Sequence, residues 1–407
     1  MRIIYIHQYF LTPEEGGATR SYHLAKGLVK AGIQVEMITS HGKPHYDFKM
    51  IAGIKVHYLP VRYQQNFGFV KRIWAFLAFI RLAKKHIAKL PRPDYFYITS
   101  TPLTTGWIGM WAKKKFAVPY IFEVRDLWPE APVQVGAIKN QILKKILFHF
   151  EGKIYNQALK IVALSPGIAN SIRQRFPEAK IYLVPNFADT SFFIPEKKSP
   201  SILQKYGLAS KFTLTYAGAI GKVNAVNDIL ILAHEAQIRN LDFQFLVMGK
   251  GSYADNLLQE AQDLNLKNFR FIPFGNKEKV REILSVSDMA FVSFAHLPVL
   301  GTNSPNKFFD ALAAGKAILV NHKGWVYDLV KQYDLGLYFN PSKPGKTLEK
   351  LVELAENPNA LKACQLHSRD LAEKFFSSEI AVQRLLGIMD PEKFGKEFSD
   401  EVYILTA

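Results

Sequence analysis

The run Asn303-Ser304-Pro305-Asn306-Lys307-Phe308-Phe309-Asp310-Ala311-Leu312-Ala313-Ala314-Gly315-Lys316 gathers several groups suited to a phosphorylated ligand. Asn303 or Ser304 can cap a helix, and Pro305 suits its first turn. Lys307, near that N-terminus, can meet a phosphate where free backbone N–H groups and the helix dipole already favour an anion. Asp310 lies four residues past Asn306, on the same helix face, where a carboxylate accepts hydrogen bonds from a ribose diol. Phe308, Phe309, Leu312 and Ala313 form the buried side, and Gly315 ends the helix before the strand Ala317–Val320. The junction reads as a socket for a nucleotide diphosphate.

Other strand ends carry compatible chemistry. Gly16-Gly17-Ala18-Thr19-Arg20 opens a helix after the first strand, so backbone at Gly17 can approach a bound group closely. Its spacing is not that of a dinucleotide fingerprint. Phe122–Glu130 ends a strand with Glu123, Arg125, Asp126 and Glu130. Glu123 or Asp126 can orient a hydroxyl or act as a base, and Arg125 can hold an anion. These four are expected on the acceptor side. In Tyr216–Lys222, Gly218 and Gly221 lead to Lys222, placed to meet a leaving diphosphate. Gly249 and Phe274 end two further strands and are expected to wall a base pocket. The eleven His are scattered, and zinc-ligand spacing, an Asp-x-Asp triplet, a nucleophile elbow and a P-loop are all missing. No cofactor or metal is therefore expected.

The elements that position these loops alternate. Ile3–His7, Gln34–Thr39, Lys55–Leu59, Tyr95–Thr99, Tyr120–Val124, Ile161–Leu164 and Ile181–Val184 read as strands, with helical patterns between them such as Thr19–Ala31, Phe69–Leu90 and Leu103–Phe116. After a turn-rich stretch around Pro185 and Pro195–Pro200, a second series follows: Thr213–Tyr216, Phe243–Met248, Phe269–Ile272, Met289–Ser293, Ala317–Val320 and Gly336–Tyr338. The fold class is α/β, with two doubly wound domains facing each other across a cleft at the strand carboxyl ends. The boundaries fall at 1–190 and 191–375, with a helical tail over 376–407 that can cross back to the first domain.

Charge is divided unevenly. Residues 1–190 hold 27 Lys and Arg against 11 Asp and Glu, a net +16, leaving +1 of the total +17 for residues 191–407. Such asymmetry points to an anionic partner of the first half. In the helix Phe69–Leu90, an apolar face of Phe69, Ile73, Phe76, Ile80 and Ile87 opposes Lys71, Lys85 and Lys89, with Arg72, Arg81 and Lys84 on the flanks. Its apolar run is too short to span a bilayer but suits the interface with an anionic leaflet. Phe69, Lys71, Arg72, Ile73, Phe76, Ile80, Lys84 and Lys85 are expected to face the membrane. A core-facing helix with a solvated basic back is the competing reading. The lone Cys364 fits a reducing compartment, and the first residues resemble a strand and not a signal peptide. A cytoplasmic protein, peripheral on the inner face of the plasma membrane, is expected.

Taken together, Gly16-Gly17, Phe122–Glu130, Val184-Pro185-Asn186, Tyr216–Lys222, Met248–Gly251 and Ser304–Gly315 resemble glycosyltransferase family 4, of GT-B architecture. Val124–Pro129 and Asn303–Gly315 resemble its bacterial L-fucosamine-transferase-like branch. The resemblance implies two facing Rossmann-like domains and metal-independent transfer with retained configuration. The donor is a nucleotide-diphosphate sugar, such as a UDP-linked N-acetyl amino sugar, and the acceptor a polyprenyl-diphosphate-linked saccharide of surface polysaccharide (O-antigen, capsule or exopolysaccharide). Asn303, Ser304, Pro305, Asn306, Lys307 and Asp310 fall on the donor side with Gly17, Gly218, Gly221, Lys222, Gly249 and Phe274. Arg125, Asp126, Lys222 and Lys307 are the expected catalytic residues. The chain departs from the family at Thr302, where a carboxylate is usual. An epimerase or hydrolase of nucleotide sugars is the alternative on the same fold. A nucleic-acid partner is not expected, since no stacking aromatics interleave the basic residues.

Overall fold

The computed structural model describes residues 1–17, 19–63, 67–396, 398 and 400–404. The chain divides into two compact units: Met1–Thr12, Ala18–Pro185 and Ala381–Phe398 in the first, and Pro13–Gly17, Asn186–Ile380 and Ser399–Ala407 in the second.

The first unit is built on eight strands: β1 Arg2–Ile6, β2 Gln34–His41, β3 Asp47–Ile51, β4 Ile54–Pro60, β5 Tyr95–Thr99, β6 Tyr120–Val124, β7 Lys160–Ala163 and β8 Ile181–Leu183. Their order is β3-β4-β2-β1-β5-β6-β7-β8. All neighbours run parallel except β3 and β4. The apolar runs follow from burial on both faces: Ile3, Ile4, Tyr5 and Ile6 are fully enclosed. Chain direction across the sheet reverses beside β1, which puts the loops after β1 and β5 at a switch point. The hairpin strand β3 was not foreseen. Phe48, Lys49 and Met50 on this edge are exposed, so no buried apolar run marks it. The helix expected over Leu103–Phe116 is divided into a 3-10 turn, Leu103–Thr105, and an α-helix, Gly106–Phe116.

The second unit carries β9 Phe212–Ala219, β10 Phe243–Lys250, β11 Phe269–Pro273, β12 Met289–Val292, β13 Ala317–Val320 and β14 Gly336–Tyr338. They are wholly parallel in the order β11-β10-β9-β12-β13-β14, with the reversal between β9 and β12. Leu214, Tyr216, Phe245, Phe291 and Leu319 from the sheet pack with Ile229, Leu348 and Leu351 from helices. Two helices absent from the sequence reading, Pro344–Glu356 and Pro358–Phe375, complete this unit. Each starts with proline in its first turn, where the missing N–H leaves no helix bond unmade. The helix Ser378–Met389 passes into the first unit, where Lys160 Nζ donates to the Ile388 carbonyl.

Candidate functional site

In the second unit, the residues with the clearest ligand chemistry lie at the carboxyl ends of β9, β12 and β13. The helix of the opening motif runs Asn306–Ala313, with Pro305 as its N-cap in extended geometry and no side-chain cap. Neither Asn303 nor Ser304 caps it, contrary to the expectation. Ser304 Oγ instead accepts from the Asn186 backbone N–H at 3.1 Å, and its carbonyl accepts from Asn186 Nδ2. The Asn303 carbonyl accepts from Trp325 Nε1 at 2.6 Å. Thr302 Oγ1 donates to the Val299 carbonyl at 2.7 Å.

Lys307 lies against two aromatic rings. Its ammonium donates to the Tyr216 hydroxyl at 3.0 Å and the Ser293 carbonyl at 3.2 Å. It also sits 4.2 Å from the Tyr216 ring centroid and 4.7 Å from that of Phe294. Burial lowers its pKa to about 7. Among the described residues it has no carboxylate partner. A desolvated cation without a counter-charge, in the first turn of a helix, is an electrostatic site waiting for an anion. Asp310, one turn on, shows the opposite perturbation. Burial raises its carboxyl to about 7, with Lys277 pulling down and Asp189 pushing up. Asn306 is exposed at the helix start, and Lys222 is exposed at the head of the short turn Lys222–Asn224.

The glycines have a structural task. Gly249 pairs with Gly218 across β9 and β10. A Cβ on Gly249 would fall 2.0 Å from the Gly218 carbonyl oxygen, so close strand approach excludes any larger residue. Backbone packing thus accounts for Gly249, whereas a Cβ on Gly218 would meet only the Tyr216 side chain, at 3.3 Å from Oη. The Gly221 N–H donates to Asn224 Oδ1 at 3.1 Å. Phe274 remains exposed after β11, with the Lys250 ammonium 3.9 Å from its ring centroid. Gly16 and Gly17 both adopt positive φ, 73° and 87°, in a turn closed by Gly16 N–H on the Pro13 carbonyl.

In the first unit, a second polar cluster sits at the ends of β1, β5 and β6. Arg125 Nη1 donates to His7 Nε2 at 3.2 Å, and its backbone N–H to Ser100 Oγ at 2.9 Å. Burial, then the Arg125 charge, lowers His7 to about 3, so the ring is a neutral acceptor toward Arg125. Thr101 Oγ1 donates to Asp126 Oδ2 at 3.4 Å. Burial raises the Asp126 carboxyl against the pull of Arg125. Gln8, just after β1, is fully buried with neither side-chain amide atom paired, and its backbone carbonyl accepts from Ser40 of β2.

Glu123 is a correction. It is fully enclosed and accepts from Arg20 Nε and Nη2 at 3.0 Å, Tyr97 Oη at 2.6 Å and Thr99 Oγ1 at 2.8 Å. Burial alone would raise its pKa, but Arg20 and Arg125 outweigh it and hold the carboxyl at about 2. A carboxylate so bonded cannot meet an acceptor. Arg20 also donates to the Val184 and Pro185 carbonyls, so this pair ties the first helix to the end of β8. Glu130 is likewise engaged, accepting from Gln134 Nε2 at 2.9 Å within its own helix.

The helix Phe69–Ile87 is turned differently from the expectation. Ile80 is buried with Ala75, Phe79, Ala83 and Ile87, and Phe76 stacks on Tyr63 with centroids 5.9 Å apart. Arg72 Nε donates to the Phe67 carbonyl at 2.8 Å. Lys84 lies over Trp107 and Trp111, at 5.0 and 5.7 Å, with burial lowering its pKa. The exposed apolar side chains are Val70, Ile73, Trp74 and Leu77, of which Trp74 is 68% exposed, with Trp107 on the helix Gly106–Phe116. Lys71, Arg81, Lys85 and Lys113–Lys115 are exposed cations on these same two helices. The Phe69 side chain lies outside the described residues. Among the described residues no helix is long and apolar enough to cross a membrane.

Two all-parallel or nearly parallel Rossmann-like sheets, each with its polar residues at the strand carboxyl ends, define the GT-B class of glycosyltransferases. Residues 15–186 match the glycosyl transferase 4-like domain, and residues 199–370 match the glycosyl transferases group 1. The chain is thus built from two glycosyltransferase domains. Its fold is similar to that of sucrose-phosphate synthase from Thermosynechococcus elongatus, at TM-score 0.76 and 16% identity over 96% of this chain and 98% of the other. Anabaena HepE, solved with UDP-glucose, aligns at TM-score 0.68 and 14% identity over 96% and 100%. WaaG, a glycosyltransferase involved in lipopolysaccharide biosynthesis, aligns at 0.67 and 14% over 95% and 99%. No curated protein sequence matches the chain.

Proposed function

We propose that this protein is a retaining glycosyltransferase of the L-fucosamine-transferase-like branch. It moves a sugar from a nucleotide-diphosphate donor, a UDP-linked N-acetyl amino sugar in class, to a polyprenyl-diphosphate-linked saccharide of surface polysaccharide. The observation that carries the reading is the uncompensated Lys307 ammonium at the start of Asn306–Ala313. HepE holding UDP-glucose and WaaG serving lipopolysaccharide synthesis support the donor class and the pathway class.

In this reading Lys307 and the exposed Lys222 meet the diphosphate, and Asp310 accepts from the ribose diol. As the bond from the anomeric carbon to phosphate breaks, the two cations stabilise the departing charge. The acceptor oxygen forms its bond on the same face, and its proton passes to the leaving diphosphate oxygen. Arg125 and Asp126 orient the acceptor. No metal is assigned a role. Val70, Ile73, Trp74, Leu77 and Trp107, with the cations around them, rest on the anionic cytoplasmic leaflet, where the lipid acceptor resides.

The test is a screen of uridine, guanosine and thymidine diphosphate sugars against a polyprenyl-diphosphate acceptor, with the product anomer read by NMR. Lys307→Ala and Lys222→Ala are each expected to cut turnover more than about tenfold, since one charge-stabilising donor is worth ~2–4 kcal/mol in the transition state. Wild-type rates in both variants would overturn the assignment. Sugar release or interconversion without acceptor would place the protein among hydrolases or epimerases.

A further inference from the structure

A polar chain at the ends of β12 and β13 has no part in the reading above. Asn321 directly follows β13 and is fully buried. Its Nδ2 donates to Asp228 Oδ2 at 2.7 Å, and its Oδ1 accepts from the Phe294 backbone N–H at 2.9 Å. These two bonds permit only one orientation of the amide. His322 Nδ1 stands 3.3 Å from that same Oδ1, so Nδ1 carries the ring proton and Nε2 presents a lone pair. Burial, then the charges of Lys307 and His296, hold the imidazole at about 3 and therefore neutral.

His322 is 3% exposed, and Nε2 has no hydrogen-bond partner among the described residues. It is also not among the buried nitrogens left unpaired, so it keeps access to the outside. The ring packs edge-on against Phe294, with centroids 5.0 Å apart and planes at 87°. Lys307 Nζ lies over that same Phe294 ring. A neutral acceptor thus stands beside the cation, fixed by a three-residue chain anchored on Asp228.

We propose that His322 determines donor specificity, its Nε2 accepting a hydrogen bond from a hydroxyl or acylamino N–H of the sugar being transferred. The inference rests on Lys307 marking the diphosphate. A lone pair cannot hold phosphate oxygen, which has no proton to give at neutral pH. The ribose diol is assigned to Asp310. The remaining donor groups next to a sugar-linked diphosphate are those of the sugar.

Calorimetric titration of the full chain with UDP, GDP and dTDP, and with the sugar esters of whichever binds, tests this. Three proteins are compared: wild type, His322→Phe and His322→Gln. Free nucleoside diphosphate is expected to bind all three alike. The nucleotide sugar is expected to bind the Phe variant about tenfold more weakly, as for loss of one acceptor to a buried donor, and to recover in the Gln variant, whose amide oxygen accepts. Equal binding of the sugar ester by wild type and the Phe variant overturns the proposal. So does equal weakening of both ligands, which marks a structural role. If the Phe variant does not fold, His322→Ala is judged by the same pair of ligands. If wild type binds none of the diphosphates, the donor-site reading itself fails, and this proposal with it. If the diphosphates bind and only the His322 variants are indifferent, the donor site stands and His322 alone is excluded.

Discussion

Lys307 Nζ lies 3.0 Å from the Tyr216 hydroxyl and 4.2 Å from the centroid of the same ring. One side chain from β9 therefore both solvates the ammonium and shields it from water. The hydroxyl is already committed, donating to the Ala219 carbonyl, so its lone pair is turned toward the lysine. Neutral groups hold the side chain in place without offsetting its desolvation, so a bound anion would favour its charged form.

This arrangement predicts opposite pH dependences for two neighbours. Lys307 falls from 10.5 to about 7 on folding, so between those values the unfolded chain binds the extra proton and its contribution makes stability rise with pH. Asp310 rises from 3.8 to about 7, so in that window the native state holds the extra proton and stability falls as pH rises. Urea denaturation across pH 4 to 10 should show Lys307→Met flattening the alkaline slope and Asp310→Asn the acid one. An unchanged slope in either variant would show that the group titrates normally.

Glu123 and Arg20 form a fully buried ion pair, and removing one member strands the other. Glu123→Gln is expected to destabilise the first unit by about 3–5 kcal/mol, the range for breaking a buried pair. Turnover per folded molecule should stay near wild type, because no acceptor reaches this carboxylate. A stable but inactive variant would restore Glu123 to the catalytic set.

Trp74→Ser combined with Leu77→Ser is expected to release the protein from anionic vesicles in a sedimentation assay while leaving the melting temperature unchanged. Phe76→Ser should instead lower the melting temperature, because Phe76 packs on Tyr63. High salt should weaken vesicle binding, since each cation near an anionic leaflet is worth about 1 kcal/mol. Retention of the Trp74 and Leu77 variant on vesicles would remove this face from the membrane reading.

Gly249→Ala is expected to cost about 1–3 kcal/mol or more in urea denaturation, because its Cβ would strike the Gly218 carbonyl. A variant as stable as wild type would mean that the strand ends separate easily, and would return Gly249 to consideration as a ligand contact.

Much of the fold is legible in the chain. Doubly buried parallel strands read as short apolar runs, as at Ile3–Ile6 and Ala317–Val320, and glycine or proline closes them. The exposed edge strand Asp47–Ile51 lacks that signal and was missed. For Phe69–Ile87, periodicity identified the helix but not its rotation, because apolar residues occupy more than one face and only packing decides which is covered. Arg20 was visible as part of a glycine-rich loop, yet its partner stands 103 residues away.

By itself the sequence determined two alternating α/β halves, the uneven charge and the placing of a lysine in the first turn of the helix around Lys307, since these depend on local pattern and residue type. Only the tertiary structure decided which polar groups remain open to a ligand. It closed Glu123 and Ser304 into contacts with residues 103 and 118 positions away. Among the described residues it also left Lys307 without a counter-charge and His322 Nε2 without a donor. Hydrogen-bond partners and desolvation depend on which strands become neighbours, and no local stretch of chain contains that information.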